Sequence, residues 1–188
     1  MENRKVLIHV LHEWMERELM NKRVWMMLIA FVVALGSGCS PIYIDGWHRG
    51  KLLEAGTDKP IQGAVILGSW TYRTFGSHEF YDAKETVSDE NGNFTIFGLG
   101  VRLFSAMDPM DVEIFKRGYE PLEYMSWEEL NRDPRASSWG SRVVIRLKKL
   151  TTKKERGHAY PNTPSVPAEK QKLMLEEIKK NRYELYGN

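Results

Sequence analysis

Apolar residues alternate with polar ones through the middle of the chain, a spacing typical of β-strands. Residues 64–72 are rich in β-branched and aromatic side chains, and Val143, Ile145 and Leu147 are separated by single residues. Gly, Pro, Asn and Asp interrupt these short runs, and continuous helical periodicity is missing until the C-terminus. The sequence therefore predicts an all-β architecture followed by a C-terminal helix.

Asn91-Gly92 is the clearest turn signal in this region. Both residues tolerate a positive φ, which lets a tight turn follow the twist of two neighbouring strands. We therefore predict a hairpin here, with Phe94 and Ile96 on one face of the strand that follows. Trp70 and Phe94 are expected to be core residues.

A different pattern precedes the β region. Residues 24–35 form an uncharged apolar run directly after Lys22-Arg23 and directly before the small residues 36–38. This order of basic, apolar and small residues is typical of a secretory signal. The run would cover only about 18 Å of a hydrocarbon core of roughly 30 Å, so a permanent membrane span is disfavoured. We expect an exported chain, with residues 1–38 as the signal segment.

The signal is unusually long when it is read from Met1. Residues 1–19 carry acidic side chains where signals are normally basic, whereas Met20 opens a compact signal. We therefore expect translation to start at Met20. The alternative is an amphipathic segment on the cytoplasmic side, which processing would remove in either case.

The only Cys of the chain, Cys39, stands where the small residues end. Residues 35–39, Leu-Gly-Ser-Gly-Cys, resemble the lipobox of bacterial lipoproteins, although Leu35 stands one position earlier than usual. The resemblance implies that Cys39 becomes the acylated first residue of the mature chain. The following Ser40, in place of Asp, implies sorting to the outer membrane, on its periplasmic side. A cleaved signal followed by an incidental thiol is the alternative.

A second resemblance covers residues 47–150. Its motifs are several glycine-marked strand and turn segments, namely Gly50-Lys51-Leu52, Pro60-Ile61, Gly63-Ala64-Val65-Ile66, residues 88–96 and Lys116-Arg117-Gly118-Tyr119. Together they are similar to the carboxypeptidase regulatory-like domain. That family implies a transthyretin-like, Ig-like antiparallel β-sandwich of about seven strands. It implies no particular activity, because the domain is an accessory module on many envelope and secreted proteins.

The segments that flank this domain differ from it in composition. Residues 39–46 are expected to be a short tether. Residues 151–167 contain three Pro and a basic cluster, which favours an extended, solvated linker. Good helix formers follow, so we predict a helix over 168–188 that folds back on the sandwich or meets a partner.

Charge and motif content narrow the function. The 27 Lys and Arg residues face 25 Asp and Glu residues, a net charge of +2, so we expect no nucleic-acid partner. A single Cys excludes an intrachain disulfide. The chain contains no nucleophile-elbow, zinc-protease or phosphate-loop motif, so we expect no catalytic residues, no metal site and no cofactor.

Aromatic residues in loops are the remaining candidates for binding. Trp127 and Trp139 fall in an insertion before the last strand, and Tyr72 and Tyr81 flank another loop. Aromatic rings give a large contact area at a small entropic cost, so these four are candidates for a surface that binds an envelope protein or glycan. The alternative is that the two Trp cap one end of the sandwich.

These features favour a non-enzymatic, lipid-anchored binding or scaffolding module of the bacterial cell envelope, attached to the membrane through its acyl chains. The competing hypothesis is an envelope hydrolase or carbohydrate-active accessory protein whose site contains His78, Glu79 and Asp82. A histidine clustered with carboxylates in a pocket would favour the second hypothesis, and loop aromatics at one end of the domain would favour the first.

Overall fold

The computed structural model describes residues 22–29, 42–103, 106–130, 132–139, 142–161 and 166–187. The chain falls into two compact units that divide between Ile42 and Tyr43. In the first unit, residues 22–29 form helix α1. The predicted start at Met20 and the predicted acylation site at Cys39 lie outside the described residues. No helix in the described ranges is long and apolar enough to cross a membrane.

The chain from residue 42 onward consists mostly of β-strands. The strands are β1 (Ile42–Glu54), β2 (Val65–Arg73), β3 (His78–Val87), β4 (Asn93–Leu103), β5 (Asp111–Phe115), β6 (Leu122–Ser126), β7 (Ala136–Trp139) and β8 (Arg142–Leu147). The helices are α2 (Trp127–Leu130), α3 (Lys153–His158) and α4 (Lys172–Tyr186), with a 3-10 turn at Ala168–Lys170.

The strands form two four-stranded sheets. Sheet 1 has the order β4-β1-β8-β7, and sheet 2 has the order β3-β2-β5-β6. β1 and β8 run parallel, with Gly50 opposite Val143, whereas the pairs β2–β3, β2–β5, β5–β6 and β7–β8 are antiparallel. The predicted β architecture is confirmed, but the parallel β1–β8 pair departs from the antiparallel arrangement expected for every strand.

The turn at Asn91-Gly92 forms, but it does not close a hairpin. β3 before it belongs to sheet 2 and β4 after it belongs to sheet 1, so the turn carries the chain from one sheet to the other. The Asp89 carboxylate accepts hydrogen bonds from the backbone N–H groups of Asn91 (2.9 Å) and Asn93 (2.8 Å). Gly92 has a φ of 76°, and a Cβ there would lie 2.4 Å from the Leu52 carbonyl oxygen. The hairpin prediction is wrong because a local turn signal does not determine which strands pair.

The two sheets share one hydrophobic core. Sheet 1 contributes Leu52, Phe94, Ile96, Val143, Ile145 and Leu147, and sheet 2 contributes Ile66, Trp70, Val112, Ile114 and Leu122. Trp70 and Phe94 are buried, as predicted. Gly50 makes room for the Phe94 ring, because a Cβ at position 50 would lie 2.3 Å from Phe94 Cζ. Removal of these apolar side chains from water holds the sheets together.

The C-terminal helix covers the other face of sheet 2. Val65 and Leu67 alternate with core residues along β2 and therefore point away from the shared core. They form a second apolar cluster with Met174 of α4. The Glu85 carboxylate of β3 accepts hydrogen bonds from the backbone N–H groups of Leu173 (2.9 Å) and Met174 (2.7 Å) at the start of α4. The helix therefore folds back on the sheet, the first of the two predicted alternatives.

The predicted tether and the predicted linker both contain regular structure. β1 begins at Ile42, inside the expected tether of residues 39–46. Residues 153–158, expected in an extended linker, form α3 instead. A capping box explains this helix: Thr152 Oγ1 accepts from the Glu155 backbone N–H (3.1 Å), and the Glu155 carboxylate accepts from the Thr152 backbone N–H (3.0 Å).

Glu113 is a buried acid in the middle of sheet 2. It lies on β5 opposite Leu67 of β2, and only 1% of its surface is exposed. Neither of its carboxylate oxygens has a hydrogen-bond partner among the described residues. Burial, together with the negative charge of Glu123, raises the pKa of Glu113 to about 8. The folded chain therefore keeps this carboxyl group protonated at neutral pH, whereas the unfolded chain ionises it.

Glu113→Met should raise the free energy of unfolding by about 1–3 kcal/mol at neutral pH, because it removes an unsatisfied buried polar group. In the wild type, stability should fall as the pH rises from 4.5 to about 8, since the unfolded chain loses this proton first. Urea unfolding at about pH 5 and about pH 8 measures both effects, with the exposed Glu90→Gln as the control. Equal stabilisation by Glu113→Met at both pH values would contradict the raised pKa.

Candidate functional site

Trp127, one of the predicted binding residues, lies against the core. It opens α2, is half-buried and packs against the core that the sheets share. Its ring meets the His48 imidazole and the Phe94 ring edge-on, with centroids 5.0 Å and 6.3 Å apart. This placement favours the alternative in which the indole caps the core, and the role of Trp127 in binding stays a prediction.

Two other predicted positions are described only in part or not at all. Trp139 ends β7, where its backbone pairs with Arg142 of β8, and its side chain lies outside the described part of the structure. Cys39 lies outside it altogether. The predicted roles of Trp139 in binding and of Cys39 in acylation therefore stay predictions.

Tyr72 and Tyr81, the remaining predicted pair, do come together. Their rings meet edge-to-face with centroids 6.4 Å apart, on the antiparallel pair of β2 and β3. The Tyr72 hydroxyl donates a hydrogen bond to the Glu79 carboxylate (2.6 Å), which raises the pKa of Tyr72. The Arg102 guanidinium lies 5.6 Å from the centre of the Tyr81 ring. The pair forms a small aromatic patch in which the Tyr72 hydroxyl is already bonded.

The residues of the hydrolase hypothesis bond to different partners. His78 Nδ1 lies 2.7 Å from the Asp108 carboxylate, and Glu79 accepts the tyrosine hydrogen bond described above. Asp82 accepts a hydrogen bond from Lys170 Nζ (2.8 Å). Among the described residues, no group of three or more His, Cys, Asp or Glu side chains is placed to hold a metal ion. No hydrogen bond links these three side chains to one another in the described part of the chain.

Asp108 connects the end of β2 and the start of β3 to the segment before β5 through hydrogen bonds. Its carboxylate accepts hydrogen bonds from Arg73 (2.9 Å) and Thr71 (3.2 Å) in addition to its contact with His78, and its backbone carbonyl accepts one from Tyr43 (3.3 Å). Burial disfavours the ionised form, but the hydrogen bonds outweigh burial and hold the pKa of Asp108 below its ordinary value. We assign this cluster a structural role.

The sequence-based candidates missed a feature on the outer face of sheet 1. Trp47 of β1 and Phe97 of β4 meet edge-to-face, with ring centroids 5.1 Å apart. They are 62% and 56% exposed. The Arg49 guanidinium lies 4.7 Å from the centre of the Trp47 ring. Two large rings in contact with each other and with water form an apolar patch of the kind found at binding surfaces.

These side chains line a shallow groove with a volume of about 380 Å³. We name it the aromatic–arginine groove, and its principal side chains are Trp47, Arg49, Thr95, Phe97 and Arg142. No acidic side chain of the described residues forms an ion pair with either arginine. A guanidinium without a counter-charge is suited to bind a carboxylate or a phosphate, while the adjacent rings supply apolar contact.

Asp45 holds the strands beneath this groove in place. Its Oδ2 accepts hydrogen bonds from the Trp70 indole N–H (2.7 Å) and the Leu99 backbone N–H (2.9 Å), and its Oδ1 lies 2.6 Å from His48 Nε2. Burial disfavours the charge, but these hydrogen bonds outweigh burial and hold the pKa of Asp45 below its ordinary value. The cluster ties β1 and β4 of sheet 1 to β2 of sheet 2, two residues before Trp47.

The groove leaves only a weak signal in the sequence. Trp47 and Phe97 are separated by fifty positions, and Trp47 stands alone among polar or small neighbours. Phe97 does carry one local clue, because it follows the core residue Ile96 directly and so falls outside the alternation of buried positions. The two rings become neighbours only through the order β4-β1, which no local pattern specifies.

Trp127→Ala should lower the free energy of unfolding by about 3 kcal/mol, the usual cost of removing a large aromatic side chain from a core. Trp47→Ala should cost about 1 kcal/mol or less, because its ring lies largely in solvent and its main apolar contact is one aromatic pair. Chemical denaturation of the two variants makes the comparison. A loss for Trp47→Ala that equals or exceeds the loss for Trp127→Ala would show that Trp47 supports the fold.

Comparison with known proteins identifies no family. No protein-family model and no curated protein matches the chain. Among solved structures, it is similar to a streptococcal ancillary pilin, with 15% identity and a TM-score of 0.31, over 58% of this chain and 30% of the pilin. It is also similar to a 9R-lipoxygenase from Cyanothece PCC8801, with 15% identity and a TM-score of 0.28, over 65% of this chain and 18% of the lipoxygenase. Scores this low establish no shared fold, and neither protein's function transfers to this chain.

Proposed function

We propose that the chain is a non-enzymatic, lipid-anchored binding or scaffolding module of the bacterial cell envelope, with the aromatic–arginine groove as its binding face. The observation that carries this proposal is the exposed Trp47–Phe97 pair beside Arg49 and Arg142. Aromatic rings and arginines contribute most of the binding energy in many interfaces, and here they occur together. The arginines of this face fit an envelope component that carries anionic groups, whether a protein, a glycan or the lipid surface.

The proposal includes a fold family. We place the β region in the transthyretin-like sandwich class and in the carboxypeptidase regulatory-like family. Two four-stranded sheets around one core support a sandwich. Three glycines from the motifs of that resemblance, Gly63, Gly92 and Gly118, adopt a positive φ, as expected for turns between strands.

The proposed anchor is an acylated Cys39 in the outer membrane, with the module on the periplasmic side. β1 begins at Ile42, three positions after Cys39. An extended chain covers at most about 3.6 Å per residue, so this connection is at most about 11 Å long. Sheet 1, which carries the groove, would therefore start close to the bilayer surface.

The hydrolase alternative has less support. His78, Glu79 and Asp82 each bond to a different partner, so no shared site forms from them among the described residues. The lining of the groove is dominated instead by arginines and aromatic rings, and it contains neither a histidine nor a carboxylate among the described residues.

Purification of the protein from its native membrane tests the proposal. We expect an intact mass that corresponds to a chain beginning at acylated Cys39, and we expect an envelope component to be captured with it. The Trp47→Ala/Arg142→Ala double variant should capture that component about tenfold less, because both residues belong to the binding face. Cys39→Ser should lose both the acyl mass and the membrane association.

The matched control is Tyr183→Ala/Lys180→Ala, which removes an exposed aromatic residue and a cation from α4 instead. Equal capture by the two double variants would exclude the groove as the binding face. An unmodified Cys39 would exclude the anchor. Turnover of an envelope substrate that disappears in His78→Ala would exclude the non-enzymatic function.

A further inference from the structure

The aromatic–arginine groove lies on the strand that leads from the proposed anchor, and its chemistry matches a membrane surface. We infer that its partner is the anionic headgroup layer of the bilayer that holds the acyl chains, so that sheet 1 docks on that bilayer. The inference rests on the proposed acylation of Cys39 and names the occupant of the proposed binding face.

Exposed apolar side chains follow β1 from its beginning to the groove. Ile44 is 73% exposed and Trp47 is 62% exposed, whereas Asp45 between them is buried. Trp47 is eight positions from Cys39, so the chain between them spans at most about 30 Å when fully extended. An acyl chain inserted at Cys39 would therefore keep both apolar side chains within reach of the bilayer surface.

The charge of this face complements anionic lipid. Arg49 and Lys51 alternate with Gly50 and Leu52, which face the core, and so they point outward with Arg142 beside them. Neither arginine forms an ion pair with an acid in the described part of the chain. Lys51 lies near the Asp89 carboxylate, and its charge helps to lower the pKa of that group. Basic side chains attract anionic headgroups, and Trp is enriched at the membrane–water interface.

The groove suits a lipid headgroup better than a stacked sugar. The Arg49 guanidinium covers one face of the Trp47 ring at 4.7 Å, and the Phe97 ring meets the indole at an interplanar angle of 82°. A sugar ring stacks on an open aromatic face, and Arg49 occupies one of the two faces of this indole. A guanidinium held in this way is instead positioned to bind a phosphate oxygen.

The opposite side of the domain is already covered. Met174 of α4 packs on Val65, Leu67 and Phe115 on the outer face of sheet 2. Among the described residues from 42 onward, no helix covers the outer face of sheet 1, and its rings stay in solvent. A bilayer under sheet 1 would cover the exposed apolar rings while leaving α4 and the Tyr72–Tyr81 patch for other partners.

The mature protein, which begins at acylated Cys39, tests this inference when it is reconstituted in lipid nanodiscs. The discs contain brominated phosphatidylcholine with or without phosphatidylglycerol, and the difference between wild type and Trp47→Phe isolates the emission of Trp47. We expect bromine to quench that emission in the anionic discs. Arg49→Gln/Arg142→Gln should lower the ratio of docked to undocked protein about tenfold, whereas Lys179→Gln/Lys180→Gln on the exposed side of α4 should leave it unchanged.

Trp47 emission that bromine does not quench in anionic discs would overturn the inference, and so would equal quenching in both kinds of disc. The emission of Trp47 is also measured with alginate, a soluble polymer of uronic acids. This second measurement distinguishes a failure of lipid docking from a failure of the proposed binding function. A change in Trp47 emission with alginate but not with discs would mean that the groove binds an anionic glycan, and the binding-module proposal would stand. Protein purified from its native membrane without acyl mass on Cys39 would overturn the proposed anchor and, with it, this inference.

Discussion

The Asp45 carboxylate fixes how the two sheets meet. It is almost fully buried and bonds to the Trp70 indole of sheet 2, to the Leu99 backbone of sheet 1 and to His48. A buried carboxylate is tolerated only where donors replace the lost water, and here three donors do so. Trp70 is itself at the centre of the shared core, so this polar cluster and the apolar core hold the same strands.

The position of the groove follows from this cluster. Asp45 is buried, whereas Trp47, two residues later on β1, is exposed. Residues two apart on a regular strand share a face, so the alternation of β1 is interrupted between these two positions. Gly98 lets β4 approach β1, because a Cβ there would lie 2.1 Å from the Gly46 carbonyl oxygen. This close approach brings Phe97 against Trp47. The contacts that close the core therefore also assemble the exposed rings, while α4 covers the opposite outer face.

Local patterns predicted the strands and much of the core, since alternation with a period of two depends only on neighbouring residues. Which strands pair depends on residues far apart in the chain. The turn signal at Asn91-Gly92 therefore predicts a hairpin, although the turn joins two different sheets. Tyr72 and Tyr81 were found together because they lie on adjacent strands of one antiparallel pair. Nothing local in the sequence distinguishes a ring that caps the core, as Trp127 does, from a fully exposed ring. The groove escapes sequence analysis because it forms between strands far apart in the chain.

The central claim is that Asp45 joins the two sheets, and native-state hydrogen exchange in Asp45→Ala tests it most directly. This variant leaves the buried Trp70 indole N–H and the part-buried Leu99 backbone N–H without their acceptor. We predict that both N–H groups exchange faster together and that the free energy of unfolding falls by about 2 kcal/mol or more. Asp45→Asn, which keeps one oxygen for these two donors, should lose less. A loss below about 0.5 kcal/mol in Asp45→Ala, or faster exchange at only one of the two groups, would contradict the claim.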